Sequence, residues 1–198
     1  MKYLPVIIAV VAALFLRIYI ISVFKVPGQS MAPTLLAGDY ILAIQSHAAP
    51  ALGELIVFSK NSRAFIKRVV AVENQEVEYK NGELYINDQK CTYQSLQETD
   101  DKSFSVMDET CEGLSRKILR PQDLAKNSVS MAKTKLLPGD FLVIGDNRSF
   151  ENNLTNAEIL HSDQILGKPL VIWMSYASTQ DFISKTLGFR WNRILTIL

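Results

Sequence analysis

The chain has 198 residues, 48% of them hydrophobic, and its charges nearly cancel, with 21 Lys and Arg against 20 Asp and Glu. That length suits one domain, or one domain with an inserted subdomain, and the apolar content excludes a wholly disordered chain. The net charge of +1 argues against nucleic acid as a partner, and two cysteines are too few for a disulfide-rich scaffold or a four-cysteine zinc site.

The first predicted element is an apolar stretch from Leu4 to Phe24. The exceptions within it are Pro5, Arg17 and Ser22. As a helix rising about 1.5 Å per residue, the stretch spans about 30 Å, the thickness of a hydrocarbon core. We therefore expect residues 1–25 to form a single transmembrane anchor, in which a central arginine costs about 3 kcal/mol unless its stem reaches the interface. Two alternatives fit less well: bulky Phe24 is a poor cleavage site for a signal peptide, and a buried core helix is rarely apolar on all faces.

The charges beside this stretch bear on its orientation. Lys2 and the amino terminus favour a cytoplasmic N-terminus, whereas Lys25 favours the opposite arrangement. We expect the N-terminus inside and the rest of the chain on the extracytoplasmic side of the cell's inner (cytoplasmic) membrane. Cys91 and Cys111 would then face an oxidising compartment, where they either form a disulfide or remain two unpaired thiols.

The rest of the chain is typical of a mainly β fold, because short β-rich runs dominate and no long segment has a convincing helical period. Asn81-Gly82 predicts a type I′ hairpin and Pro138-Gly139 a second turn. The expected strands are Tyr40–Ile44, Leu55–Phe58, Phe65–Val72, Glu76–Tyr79, Leu84–Ile86, Phe141–Ile144 and Leu170–Met174. Residues 87–135 are more polar and carry both cysteines, so we interpret them as a subdomain inserted between two core segments, 26–86 and 136–198.

Ser30 lies in the middle of Pro27-Gly28-Gln29-Ser30-Met31-Ala32-Pro33, directly after the apolar stretch. Glycine and two prolines impose a tight path that suits an exposed nucleophile beside backbone N–H donors, and equally an ordinary loop serine. The segment nearly matches the nucleophile elbow of α/β-hydrolases, but no repeated βαβ units are visible. His47 and His161 are the only histidines, and both lie in loop-like stretches that favour a solvated histidine over a catalytic base.

Lys67 is a better candidate base for Ser30. Strand alternation places it on the same face as apolar side chains, namely Phe65, Val69 and Ala71. Such neighbours remove water from the amine, and lowering its pKa from about 10.4 to about 7–8 takes about 4 kcal/mol, which burial can supply. In the alternative interpretation, Lys67 extends into solvent and Arg68 pairs with an acid.

Taken together, these segments resemble the bacterial type I signal peptidases, Ser/Lys endopeptidases that remove signal sequences. The apolar stretch runs directly into Pro27-x-x-Ser30-Met31-x-Pro33-Thr34-Leu35 and then Gly38-Asp39, and further blocks follow in the family's order. They are Leu52-Gly53-Glu54-Leu55-Ile56-Val57-Phe58, with Glu54 where aspartate is usual, Phe65-Ile66-Lys67-Arg68-Val69-Val70, Gly145-Asp146-Asn147-Arg148 and Gly167-Lys168. The ordered blocks span much of the chain outside residues 87–135.

The resemblance implies a signal-peptidase-like β fold and assigns roles within it. Ser30 would be the nucleophile and Lys67 the general base. The Ser30 N–H and the neighbourhood of Gly28 would bind the oxyanion, and Met31 would shape the pocket wall; some relatives carry a serine hydroxyl at the Gly28 position. The implied partners are signal-peptide-bearing precursors, cleaved after small side chains, and the lipid bilayer. The enzyme would be a monomer that needs no metal, nucleotide or other cofactor.

Two segments depart from the family's pattern. Ala71-Val72-Glu73-Asn74-Gln75 replaces the usual Gly-x-Pro-Gly-Asp. After Arg148, Glu151 takes the place of the serine that orients the lysine, and a carboxylate there would raise the pKa of Lys67; Ser149 or Asn152 are alternative orienting residues. These departures leave open a specialised pilin- or conjugation-type maturation peptidase of the same family, or a non-catalytic anchored binding module.

Overall fold

The computed structural model describes residues 3–9, 11, 21–46, 48–80, 82–98, 103–122, 130–148, 157–177 and 187–198. Within these residues, sixteen strands form three sheets, and every strand pair is antiparallel. The mainly β class predicted from the sequence is therefore confirmed.

The largest sheet has nine strands among the described residues and includes the strand that carries Lys67. Its strands are β1 (Ile21–Lys25), β2 (Asp39–Gln45), β3 (Leu55–Lys60), β4 (Arg63–Ala71), β12 (Asp140–Ile144), β13 (Ala157–His161), β14 (Ile165–Ala177), β15 (Gly188–Phe189) and β16 (Thr196–Ile197). The main order is β1-β2-β14-β3-β4-β12-β13, and β15 and β16 both pair with β14. Two short 3₁₀ helices, Ser162–Gln164 and Trp191–Arg193, lie beside β14 and β16 in the chain.

Two smaller sheets contain the intervening chain. One has the order β11-β5-β6-β7, and its strands are β5 (Glu76–Lys80), β6 (Glu83–Ile86), β7 (Gln89–Lys90) and β11 (Met131–Lys135). The other has the order β10-β9-β8, and its strands are β8 (Thr92–Glu98), β9 (Phe104–Cys111) and β10 (Leu114–Pro121). The first of these sheets combines strands from inside and outside the predicted 87–135 insertion, and the division into domains stays a prediction.

All seven predicted strand segments overlap strands. Some alternate along the pleat, whereas Leu55–Phe58 and Phe141–Ile144 are buried at every position, as expected of strands covered on both faces. In β2, for example, buried residues alternate with half-buried ones. The predicted hairpin joins β5 to β6, with Lys80 opposite Glu83 and Gly82 at a φ of 74°; Asn81 lies outside the described residues. The second predicted turn is also present, with Gly139 at a φ of 82°.

The amino-terminal apolar stretch differs from expectation at its end. A helix covers residues 4–9 and 11, but Ile21–Lys25 is strand β1, paired with β2 from Ile21 opposite Ile44 to Lys25 opposite Tyr40. The β-branched and aromatic residues of this segment suit a pleated strand, and β2 satisfies its backbone. None of the helices in the described residues has the length and apolarity needed to cross a membrane. Residues 12–20 lie outside the described part, so the anchor stays a prediction.

A disulfide joins Cys91 to Cys111, which decides between the two states left open by the sequence. Both cysteines are buried in a hydrophobic cluster that also contains residues of β4, β5, β6 and β12, among them Val70, Val77 and Leu142. The guanidinium of Arg116 lies 3.1 Å from Cys111 Sγ. The disulfide thus ties the start of β8 and the end of β9 to the core beside the nine-stranded sheet.

The carboxyl-terminal segment returns to a buried carboxylate at the start of β2. Asp39 is fully buried and accepts hydrogen bonds from Arg190 Nη2 at 3.2 Å, Arg193 Nη2 at 2.6 Å and Ser175 Oγ at 2.6 Å. Arg193 Nη2 also donates to the carbonyl of Thr34 at 2.8 Å. These contacts fix the chain between the Ser30 segment and β2.

Candidate active site

The loop that carries Ser30 is held on two sides. On its buried side, Met31 and Leu35 pack into a hydrophobic cluster with Ile41 and Ile172. On the other, the backbone N–H of Asn147 donates to the Ser30 carbonyl at 3.0 Å, and its side-chain amide donates to the Gln29 carbonyl at 3.0 Å. The loop is therefore anchored to the segment that follows β12, and its position does not depend on β1 alone.

Lys67 lies inside the protein, as the alternation of β4 predicted. It is only 5% exposed, so the alternative in which it extends into solvent is wrong. Arg68 points to the other face, where Nε and Nη2 pair with Asp146 at 2.8 and 2.7 Å. Thr34 Oγ1 donates to the same carboxylate at 2.5 Å, which links β4, the Ser30 loop and the Asp146 segment.

Ser30 and Lys67 line one cavity of about 610 Å³. Gly28 and Met31, the two other described residues that the sequence assigned to the site, line it as well. The amino-terminal half of β4 and the end of β1 form much of the remaining wall, with Phe24, Ala64, Phe65 and Ile66. The segment that carries Ser30 and the distant Lys67 thus meet in a largely apolar cleft, the usual form of a ligand site.

The Lys67 amine contacts a carboxylate that the sequence had not indicated. Lys67 Nζ lies 2.8 Å from Oε1 of Glu158, whose Oε2 lies 2.8 Å from Lys60 Nζ. In the described part of the chain, no hydrogen bond joins Lys67 Nζ to Ser30 Oγ. Catalytic hydrogen bonds are often long in the absence of substrate and shorten when substrate binds. The two side chains are therefore related here by the cavity that both of them line.

The electrostatic setting of Lys67 favours its neutral form. Burial lowers the pKa of the amine below its ordinary value; Glu158 opposes this shift, and the nearby positive charge of Lys60 adds to it. Although burial alone would raise the pKa of Glu158, hydrogen bonds from Lys60 and Lys67 lower it. A buried amine whose pKa is lowered is suited to the role of a general base.

The backbone N–H of Ser30 is a candidate donor to an anion. Its own N–H makes no hydrogen bond with any other described residue, so it is available as a donor to a ligand in the cavity. A Cβ built on Gly28 meets no heavy atom within 4 Å. The wall of the cavity is therefore open at Gly28, where the resemblance places a serine in some relatives.

A cluster of buried ion pairs supports the segment around Asn147. Arg148 pairs through both terminal nitrogens with Glu109 of β9, at 2.7 and 2.6 Å, and Arg116 Nε lies 2.7 Å from the same carboxylate. Burial alone would raise the pKa of Glu109, but the two guanidinium groups lower it to about 2. This cluster joins the three-stranded sheet to the segment in which Asn147 bonds to the Ser30 loop.

Other candidates from the sequence lie elsewhere. Ser149, Asn152, Glu151 and His47 are outside the described residues, so the two proposed orienting residues stay predictions. The exposed His161 pairs with Asp140 at 3.0 Å and does not line the cavity. Among the described residues, no three His, Cys, Asp or Glu side chains group in a way that would hold a metal ion.

Sequence reasoning missed Glu158 and the structural part played by Asn147. Asn147 belongs to a block that was recognised, but nothing in the block shows which backbone it bonds. Glu158 was missed because no strand was predicted over β13. Its alternation in Ala157–His161 is short, and only pairing with β12, which puts Glu158 opposite Val143, brings the carboxylate to the lysine.

Comparison with known proteins gives an independent view of the chain. Residues 2–174 match the sequence profile of the family described as signal peptidase, peptidase S26. Signal peptidase I of Bacillus caldolyticus is 29% identical over 170 residues, 83% of this chain and 85% of the relative. Signal peptidase IB of Staphylococcus aureus strain COL is 28% identical over 155 residues, 76% of each chain. A crystal structure of a signal peptidase I from Enterococcus faecalis V583 matches 62% of this chain and 98% of that one, with 21% identity and a TM-score of 0.36.

Proposed function

The chain belongs to the signal peptidase family, peptidase S26, and on that premise we propose that it is a membrane-anchored serine endopeptidase that cleaves signal peptides from exported preproteins. In this proposal Ser30 is the nucleophile and Lys67 the general base. The observation that carries it is the shared cavity: a serine on an anchored loop and a buried lysine line the same cleft, and the pKa of that lysine is lowered by burial.

The proposed reaction is hydrolysis of one amide bond. Neutral Lys67 takes the proton of Ser30 Oγ as the oxygen attacks the substrate carbonyl, and the N–H of Ser30 donates to the resulting oxyanion. The protonated Lys67 then gives the proton to the leaving amine as the C–N bond breaks, which leaves an acyl-enzyme. Lys67 next removes a proton from water, which attacks the ester, and returning that proton to Ser30 Oγ releases the carboxyl product.

An extended substrate fits the cleft by strand addition. On the side of β4 that faces β12, pairing among the described strands covers Arg68 to Ala71, so the residues from Arg63 to Ile66 present backbone groups without a strand partner on that side. Ala64, Phe65 and Ile66 also line the cavity. Main-chain hydrogen bonds to such an edge would bind a peptide, and the apolar wall would suit the small residues that the resemblance implies before the cut.

Exposed aromatic residues support a location at the membrane surface. Tyr176, Phe189 and Trp191 form a continuous ring cluster, with centroids 5.2 and 5.4 Å apart, and Trp191 is 74% exposed. Tyrosine and tryptophan are enriched where protein meets lipid headgroups, and exposed apolar patches commonly mark contact surfaces. We infer that this face of the nine-stranded sheet lies against the bilayer in which the amino-terminal anchor is held.

The test is cleavage by the detergent-solubilised full chain of a precursor that carries a signal peptide, with the cut mapped by mass spectrometry. We expect a single cut at the end of the signal peptide, and loss of cleavage in Ser30→Ala and Lys67→Ala. Ser115→Ala and Lys117→Ala, both on exposed positions of β10, are matched controls that should cleave normally. Normal turnover by Ser30→Ala would refute the nucleophile assignment. A wild-type chain with neither cleavage nor labelling by a serine-directed covalent probe would favour the binding-module alternative.

A further inference from the structure

Glu158 uses both of its carboxylate oxygens on lysines that line the catalytic cleft. Oε1 contacts Lys67 Nζ and Oε2 contacts Lys60 Nζ, each at 2.8 Å. The three side chains differ in burial: that of Lys67 is 6% exposed, that of Glu158 14% and that of Lys60 40%. The carboxylate therefore lies between the buried amine and a cation at the mouth of the cavity.

We propose that Glu158 is a positioning residue that holds the Lys67 amine toward Ser30, and that Lys60 weakens this hold by occupying the second carboxylate oxygen. The inference deepens the proposed function and rests on it, because it takes Lys67 as the base. It gives Glu158 a part in orienting the lysine, and Ser149 and Asn152, which lie outside the described part of the chain, stay predictions beside it.

Strand register puts Glu158 in place. Val143 of β12 lies opposite Glu158 of β13 on one side and opposite Val69 of β4 on the other. Residues opposite one another in a sheet point to the same face, and Lys67, two residues before Val69, shares that face. The carboxylate is thus carried by a paired strand, which fixes its position more firmly than a loop would.

The hydrogen-bonding capacity of a neutral amine explains how Glu158 assists the base. A neutral amine has two N–H donors and one lone pair. When one N–H donates to Glu158 Oε1, rotation about the last side-chain bond becomes restricted, which leaves the lone pair fewer directions. Lys67 therefore does not have to leave Glu158 in order to accept the serine proton.

The charge balance explains why Lys60 is needed. A carboxylate alone would favour protonated Lys67, the form that cannot act as a base. Burial is the main cause of the lowered pKa of Lys67, and Lys60 adds to it by neutralising part of the carboxylate charge and repelling a second ammonium. The other charged residues lining the cavity are Lys25 of β1 and Arg63 of β4, both exposed, while Arg68 pairs with Asp146 on the opposite face.

The experiment measures kcat/KM against pH for the full chain in detergent, because this profile reports the ionisation of the free enzyme. In Glu158→Gln we expect the alkaline rise to move to lower pH by about one unit and the plateau to fall at least tenfold, since the amide holds the amine less well. In Lys60→Met the rise should move to higher pH. Glu158→Asp, which keeps the charge, should retain the wild-type midpoint. Lys133→Met removes a lysine that pairs with Asp88 in the four-stranded sheet, and its profile should match the wild type.

Opposite shifts in Glu158→Gln and Lys60→Met are the expected signature, which a merely structural role would not give. Unchanged midpoints, or shifts in the same direction, would overturn the proposal, and Lys60→Met tests it even if Glu158→Gln fails to fold. An NMR titration of the Lys67 side chain in each variant measures the same shifts without turnover. Failure of the wild type to cleave would count against the proposed function alone, whereas a Lys67 titration that does not respond to Glu158→Gln would refute the role of Glu158.

Discussion

The backbone N–H of Asn147 donates a 3.0 Å hydrogen bond to the carbonyl oxygen of Ser30. The side-chain amide of the same residue reaches the preceding carbonyl, that of Gln29. A single residue in the segment after β12 therefore holds two consecutive peptide units of the loop that carries Ser30. We expect Asn147 to set where the Ser30 hydroxyl lies in the cleft.

Asn147→Ala and Asn147→Asp should both lower kcat/KM by roughly 10- to 100-fold, because a displaced nucleophile loses rate steeply. Aspartate keeps the shape of the side chain but cannot donate to the Gln29 carbonyl, so it should not restore activity. The measurement is steady-state cleavage of a precursor, with thermal unfolding followed in parallel. Asn192→Ala, an exposed asparagine, is the control. Wild-type rates for Asn147→Asp would show that the side-chain bond is dispensable.

Gly28→Ser should raise kcat by about 3- to 10-fold, because it adds a hydroxyl donor near the developing oxyanion. The position accepts a side chain, since a Cβ there meets no heavy atom within 4 Å. Gly28→Ala supplies the same Cβ without the hydroxyl and should leave kcat near the wild-type value. Equal rates for the two variants would argue that Gly28 does not face the oxyanion.

Glu109→Gln should destabilise the fold by about 3–5 kcal/mol, because Arg116 and Arg148 would remain buried without a counter-charge. The wild-type pKa of Glu109 is lowered to about 2, so its stabilising contribution is complete above the ordinary carboxyl value of 4.5 and decreases as the pH falls toward 2. Urea unfolding between pH 7 and pH 3 measures both effects. The difference in stability between wild type and variant should shrink over this range, and a constant difference would contradict the ion cluster's role.

The double variant Cys91→Ser with Cys111→Ser should lose about 3 kcal/mol of stability, the amount expected for a disulfide closing a loop of this size; the two cysteines are 20 residues apart. Because neither cysteine lines the cleft, cleavage at a temperature where the variant is folded should stay within about twofold of the wild-type rate. Urea unfolding with and without reductant provides the measurement. Reductant should destabilise the wild type and leave the variant unchanged; an effect on both would point to a different cause.

Local pattern was sufficient for the seven strands that were predicted and for the face of β4 on which Lys67 lies. Val69 and Ala71 lie on the Lys67 face of β4, and an alternating strand with that composition has to pack against the core. The same logic placed Arg68 on the opposite face, where Asp146 pairs with it. These features depend on neighbours within about ten residues, which a single sequence displays.

Features that depend on register between distant strands were not predictable. Glu158 reaches Lys67 only because β13 pairs with β12 and β12 with β4. Counting along the chain put Glu151 at the position of the family's serine and left Ser149 or Asn152 as orienting residues. β1 was missed for a related reason: Ile21–Lys25 is apolar enough for a helix, and its extended form depends on the partner strand β2.

Arg190 and Arg193, which pair with Asp39, are separated from it by 151 and 154 residues of chain. During synthesis, that carboxylate therefore has no counter-ion from this pair until the chain has been translated past Arg190 and Arg193. A nascent chain interrupted before Arg190 would have to leave Asp39 in water, and with it the turn that leads from Ser30 into β2. We expect the loop that carries Ser30 to take its final position only after the segment with Arg190 and Arg193 has been made.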